Sequence, residues 1–255
     1  MNEIATAGPR IYNLFPPLFG PISAWKDHLK RIASMNFDWI YLNPIHAVGF
    51  SGSLYAVKDY YTLNPLFAPV ESALNQALAP FIADAKRAGL HVMMDLVINH
   101  TAKDSLLVDK HPNCFAHEPD GSIRTPSAVD PNDASKVTVW GDLAEIDYEH
   151  PDVCADITKY WCDLIRYWLQ LGVEGFRCDA AYKVPVDVWR RIIDNAKGIN
   201  PRGVFAAETL GCRIEQVDAL AGAGFDYFFN SVKWWDLHAP WALEQYQRFR
   251  TIAPS

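Results

Sequence analysis

The sequence predicts an α/β fold, a (β/α)8 barrel with a lid after its third strand, on three observations. Short apolar, β-rich runs alternate with helical segments along the whole chain. Several runs are apolar almost without interruption, as parallel strands covered on both faces are. Candidate chemistry sits at the C-terminal ends of at least three of them, where barrel sites assemble. A doubly wound dinucleotide fold would show G-x-G-x-x-G after its first strand, and none is present.

The strand runs are residues 11–15, 38–42, 91–97, 173–178, 204–207 and 227–229. Ser23 caps a helix that carries Trp25, Leu29, Ile32 and Ala33 on one face and ends near Asn36. Residues 73–88 repeat apolar side chains at helical spacing and stop at Gly89. Residues 152–171 do the same through Ile157, Leu164 and Trp168, and stop at Gly172. Pro185 opens a further helix through Trp189, Ile192 and Ile193, at a first-turn position that suits proline. A sixth helix is expected around residues 241–249. The longest irregular segment, 99–150, is rich in Pro, Asp, Asn and Ser, and a loop of that length is a lid or small subdomain. Residues 1–98 are then the first part of the barrel and 151–255 its continuation. Six strands are found where a closed barrel needs eight. A barrel truncated after about six βα units is therefore the expectation, with edges prone to aggregation and little activity from the 255 residues alone.

Composition narrows the class. Half of the residues are hydrophobic and 21% are charged, the balance of a globular chain. A net charge of −7 without a basic run argues against nucleic acid and against an anionic membrane surface. No stretch approaches the ~20 apolar residues of a membrane span, and residues 1–10 lack an apolar leader core. The five cysteines are odd in number and contain no C-x-x-C pair, which disfavours a disulfide framework and a zinc site and favours a cytoplasmic setting. Nine Trp and eleven Tyr suit a large core first and sugar-stacking platforms second. Oligomeric state is not legible.

Two acids invite a chemical reading. Retaining glycoside hydrolysis needs two carboxyl groups about 5 Å apart, one to attack the anomeric carbon and one to protonate the leaving oxygen. Neighbouring strands lie ~4.8 Å apart, so adjacent strand ends can supply that spacing. Asp179 directly follows the fourth run and Glu208 the fifth. Singly, Asp179 is better explained as a helix cap than as a catalyst, and Glu208 can be read as a solvated turn.

Their surroundings carry a resemblance. Gly175-Phe176-Arg177-Cys178-Asp179 resembles the G-x-R-x-D nucleophile motif of glycoside hydrolase family 13, the α-amylase family. Asp95-Leu96-Val97-Ile98-Asn99-His100 resembles its D-x-V-x-N-H motif, and Ala207-Glu208-Thr209 fits its acid/base position. Residues 55–61 and 140–148 resemble the family's second-strand loop and the segment after its lid. The resemblance implies Asp179 as nucleophile and Glu208 as general acid/base, with Arg177 orienting Asp179 and holding it ionised. It implies that His100, Asp95 and Tyr55 surround the sugar, with Asp95 alternatively holding Arg177. Asn99 matches a calcium ligand of some members, but no cage of six to eight oxygens is legible, so neither cofactor nor metal is expected. The family's third acid has no match here; Asp226 and Asp236 lie outside any such motif, and Pro254-Ser255 stand near where that strand would start.

An α-glucan or maltooligosaccharide is thus the implied substrate, for a retaining hydrolase or glucanotransferase. Residues 14–16, 119–121 and 143–148 also resemble the family's maltosyltransferases that use maltose 1-phosphate. Lys183, four residues beyond Asp179, either serves such a phosphate or lines the acceptor side, while Ala180 and Ala181 have no side-chain donor for it. A third reading is an inactive fragment or a non-catalytic carbohydrate-binding relative, against which both carboxylates are present.

Overall fold

A computed structural model describes residues 8–68, 74–130, 133–232 and 235–252. Its centre is one sheet of six parallel strands in chain order: β1 (Ile11–Leu14), β2 (Trp39–Leu42), β3 (His91–Leu96), β4 (Gly175–Cys178), β5 (Val204–Glu208) and β6 (Tyr227–Phe229). All six runs read from the sequence are strands, and the fold is a (β/α) barrel represented by six of the eight strands that closure requires. β1 and β6 are the edges of the sheet among the described residues.

The two faces follow the two-residue period of each strand. Ile40, Leu42, Val92, Met94, Phe176, Phe205 and Ala207 point outward into the main core, where Trp25, Trp161, Trp168 and Trp189 are fully buried on the helices. Trp39, Tyr41, Met93 and Ala206 face the other way and form a small cluster inside the barrel. Arg177 is opposite Asp95 on one side and Ala206 on the other, so the register fixes which polar groups meet above that cluster.

Helices cover the outer face, and their limits differ in places from the sequence reading. The first is broken into Ile22–Trp25, a 3-10 turn Lys26–His28, and Leu29–Ser34. Pro21, not Ser23, is its N-cap, because the Ile22 N–H donates to the Phe67 carbonyl and starts the helix earlier. The second runs Leu74–Arg87, with Ala73 outside the described residues, and Gly89 follows in the left-handed region at φ 77°. The helix Pro151–Leu171 ends on Gly172 at φ 101°. Pro185 is the residue before the helix Val186–Ile199, with ψ 142°, rather than inside its first turn. The last helix, Pro240–Ile252, is longer at both ends than expected. No described helix is long and apolar enough to cross a membrane.

Residues 99–150, read as irregular, contain two short antiparallel ladders. His100–Ala102 pairs with Leu143–Glu145, and Ser127–Asp130 with Asp133–Val139. Strands this short, set among Pro and Asp residues, leave little periodicity to read. A further hairpin, His46–Val48 with Val57–Leu63, carries Tyr55 at its turn. Two indole N–H groups tie the helices to the strand ends: Trp161 donates to the Tyr148 hydroxyl, itself donating to Ile98 O, and Trp189 donates to Ala181 O.

Two predictions follow from this packing. A methyl group on Gly175 would stand 2.9 Å from Trp39 Cζ3 and 3.2 Å from Val204 O. Gly175→Ala is expected to lower the unfolding free energy in urea by about 1–3 kcal/mol, the usual range for an overpacked core. His46 is buried between the Tyr60 and Trp168 rings, and burial pushes its imidazole down from 6.5 to about 4. Between those values the unfolded chain takes up a proton that the folded chain refuses, so this residue's contribution declines as pH falls through that window. Urea midpoints of His46→Gln should therefore fall less steeply than those of wild type from pH 6.5 to 4.

Candidate active site

The chemistry gathers at the C-terminal ends of β3, β4 and β5, around the Arg177 guanidinium. Nη1 donates to Asp95 Oδ1 and Oδ2 at 2.9 and 3.1 Å and to Asp179 Oδ1 at 2.6 Å. Nη2 lies 3.7 Å from Glu208 Oε2. One cation on a middle strand thus reaches an acid from each of three consecutive strand ends.

The backbone holds Glu208 as well. The Ala180 N–H donates to Oε2 at 2.9 Å and the Leu210 N–H to Oε1 at 2.8 Å. Ala180 adopts the left-handed conformation, φ 41° and ψ 48°, which costs an L-residue about 1–2 kcal/mol. The turn after β4 in this way carries Asp179, on the strand end, and a backbone donor aimed at the neighbouring acid. Such a strained residue at a strand end is typical of functional sites.

Burial raises the Asp179 carboxyl above its ordinary range, with the Arg177 charge pulling it down and the Glu208 charge pushing it up again. The sequence reading had Arg177 lowering it; desolvation of a nearly enclosed carboxyl outweighs that attraction. Asp95 is pushed up to about 6, again by burial first and against Arg177. Burial works against the charge on Arg177, but Asp95 and Asp179 outweigh it and the guanidinium stays protonated.

Asp95 does not touch the cleft. Its side chain is fully enclosed and its oxygens receive Arg177, the Tyr41 hydroxyl at 2.5 Å and the Tyr55 hydroxyl at 3.0 Å. Asn43 Nδ2 in turn donates to both phenol oxygens, at 3.2 and 3.0 Å. Tyr41 and Asn43 escaped the sequence reading. Their signal was the strand period: positions 39, 41 and 43 share the face of β2 that looks into the barrel.

A cleft of about 360 Å³ opens in front of Asp179, with Tyr55, Asn99, His100, Trp140 and Lys183 on its walls. Tyr55 lies beside Arg177, whose Cζ is 6.0 Å from the ring centroid, and burial pushes its hydroxyl up to about 12. His100 Nε2 is 3.2 Å from Tyr55 O, and burial takes its imidazole down to about 4, so it is neutral at pH 7. Lys183 closes the 3-10 turn Ala181–Lys183; its Nζ lies 5.0 Å over the Trp140 ring and 3.4 Å from Ser127 O. Arg177 and Glu208 stand behind this wall, with 14% and 11% of their side chains exposed, so neither is sealed off.

Asn99 Oδ1 is buried without a hydrogen-bond partner among the described residues. Among the described residues no group of three or more His, Cys, Asp or Glu side chains is placed to hold a metal ion, at Asn99 or elsewhere. Asp226 accepts from Lys197 and from the Phe205 N–H, and Asp236 from the His238 N–H, so neither joins the cluster. Trp234 and the Pro254-Ser255 end lie outside the described residues.

The model of the glycogen debranching enzyme glucanotransferase domain matches residues 3–120. An α-1,4-glucan:maltose-1-phosphate maltosyltransferase of Burkholderia pseudomallei is 25% identical over 252 residues, 99% of this chain and 22% of the relative. A maltosyltransferase of the same name from Streptomyces coelicolor is 30% identical over 222 residues, 81% of this chain and 31% of the relative. The chain thus spans between about a fifth and a third of these relatives. Among solved structures, an α-amylase from Lactobacillus plantarum superposes with a TM-score of 0.77 at 25% identity, covering 96% of this chain and 60% of that one. In its strand order, its carboxylates at successive strand ends and these comparisons, the chain is similar to the α-amylase type of protein, with maltosyltransferases among its relatives.

Proposed function

We propose that this chain carries the catalytic centre of a retaining enzyme acting on α-1,4-glucans. The observation that carries the reading is the single guanidinium of Arg177 reaching both Asp179 and Glu208 at neighbouring strand ends. In the first step Asp179 Oδ attacks the anomeric carbon, the glycosidic C–O bond breaks, and Glu208 gives its proton to the leaving oxygen. In the second, an acceptor oxygen attacks the same carbon, its proton passes to Glu208, and the bond to Asp179 breaks. Arg177 holds Asp179 in line. Neutral His100 and the Tyr55 ring form the wall against which the sugar lies, and Lys183 lines the side beyond Asp179. A cytoplasmic setting belongs to the same reading, supported by the odd, unpatterned cysteines.

Water as acceptor gives hydrolysis and a glucan hydroxyl gives transfer. The debranching-enzyme glucanotransferase match favours transfer between glucan chains. Maltosyl transfer from maltose 1-phosphate is the second reading, favoured by the relatives of that name and by a half-buried cation, Lys183, on the wall beside Asp179. Against it, the Ala180 N–H is already engaged by Glu208.

In the full protein, Asp179→Ala and Glu208→Gln should each reduce turnover of maltoheptaose by about three orders of magnitude or more. Retained turnover in either variant removes that residue from the chemistry. Incubation with and without maltose 1-phosphate separates the two donor readings. Chain redistribution without phosphate release is expected; lengthening coupled to phosphate release would establish the second reading instead.

A further inference from the structure

The sequence marks Trp140 only as the start of a segment, yet it is the large aromatic side chain that the cleft leaves uncovered. Its exposure is 39%, while Trp25, Trp161 and Trp189 are wholly buried. It shares the cleft wall with Asp179, and Lys183 Nζ sits 5.0 Å over its ring.

The tie between these two residues is double. Lys183 Nζ also donates to Ser127 O at 3.4 Å, and the Trp140 N–H donates to Pro126 O at 3.1 Å. Ser127 and Val139 are the paired residues at the base of the lid hairpin, so Lys183 grips both strands where they meet the cleft. That hairpin needs such an anchor, since Val129, Val137 and Val139 are all exposed and an isolated two-stranded ladder is marginal in water. The turn that follows Asp179 therefore fixes the indole relative to Asp179 through only four residues. Lys183 and Tyr182 also line a second cleft of about 470 Å³, which runs on past Tyr148 and Gln216. A glucan chain extending from Asp179 into that second cleft passes Lys183 at the point where it lies over Trp140.

We propose that Trp140, held by Lys183, is a sugar-stacking wall that favours a glucan chain over water as acceptor for the glycosyl group on Asp179. The inference rests on the double-displacement reading above and adds the group that decides its outcome. A pyranose presents a face of C–H groups that stacks on an indole, whereas water gains nothing from that surface. Aromatic contacts of this kind change binding by about two- to tenfold.

The test uses the full protein, with binding of maltoheptaose measured by calorimetry in an Asp179→Ala background and chain redistribution against reducing-end release measured with Asp179 intact. Trp140→Ala is expected to weaken binding several-fold and to lower the ratio of transfer to hydrolysis by about tenfold. Trp140→Phe should keep most of both, and Lys183→Met should fall between them. Trp140→Phe, with its melting curve compared with wild type, guards against a fold defect in the alanine variant. Wild-type binding and wild-type partition in Trp140→Ala would overturn the proposal while leaving the catalytic reading intact. If maltoheptaose binds but Asp179→Ala turns over like wild type, the catalytic reading and the partition claim fail together. Failure of the Asp179→Ala protein with Trp140 intact to bind maltoheptaose sinks the stacking wall itself.

Discussion

A single buried guanidinium organises this protein's functional end. Arg177 stands between three carboxyl groups from three strand ends, in surroundings where an isolated ionised group costs several kcal/mol. The arrangement holds only because each partner is anchored a second time: Asp95 by two phenols, Glu208 by two backbone N–H groups, and Asp179 by its own N–H on Leu96 O. Those anchors depend on register. A slip of one residue between β3 and β4 would turn Arg177 and Asp95 to opposite faces, leaving unpaired charges on both.

The same cluster shows why attraction alone does not set the state of an acid. The Arg177 charge lies within hydrogen-bonding distance of Asp179, yet enclosure leaves that carboxyl above its usual range. Loss of water costs an anion more than one shared cation returns, because the guanidinium is divided among three partners. Asp95 illustrates the other outcome. Its side chain is fully enclosed, with Arg177 and two tyrosine hydroxyls on its oxygens, so it is tied to the cleft only through Arg177 and Tyr55.

Much of this was legible in the sequence, and the pattern of what was not is physical. The six strands announced themselves because parallel strands covered on both faces are apolar throughout, and the helices stopped at Gly89 and Gly172 because only glycine enters the left-handed region cheaply. Asp179, Glu208 and Arg177 were found through motif and strand position. Tyr41 and Asn43 were not, since a tyrosine in an apolar run reads as core and its hydroxyl contact spans 54 residues of chain. The start of the first helix was misplaced for a similar reason: the Ile22 N–H takes its partner from Phe67, far along the sequence. The lid ladders hid in three- to seven-residue strands. Local propensity, in short, located the scaffold, while long-range hydrogen bonds determined which polar residues it brought together.

On the proposed double displacement, hydrolysis and transfer share every step up to a glycosyl–Asp179 intermediate, so the groups that make it cannot distinguish them. Discrimination has to come from surface that a second sugar touches and water does not. Around Asp179 the backbone is committed elsewhere: the Ala180 N–H points at Glu208, and the Ala181 carbonyl accepts from Trp189. Beside Tyr55, Asn99 and His100, the wall carries an indole, a half-buried ammonium and the hydroxyl-bearing Ser53. An ammonium already resting over a ring is better suited to fixing that ring than to meeting a doubly charged phosphate, because leaving the ring would release the lid hairpin from its anchor. On the proposed reading, that argument favours a neutral glucan chain over a glycosyl phosphate as donor, with the lid hairpin and the cleft wall tied together by the same lysine.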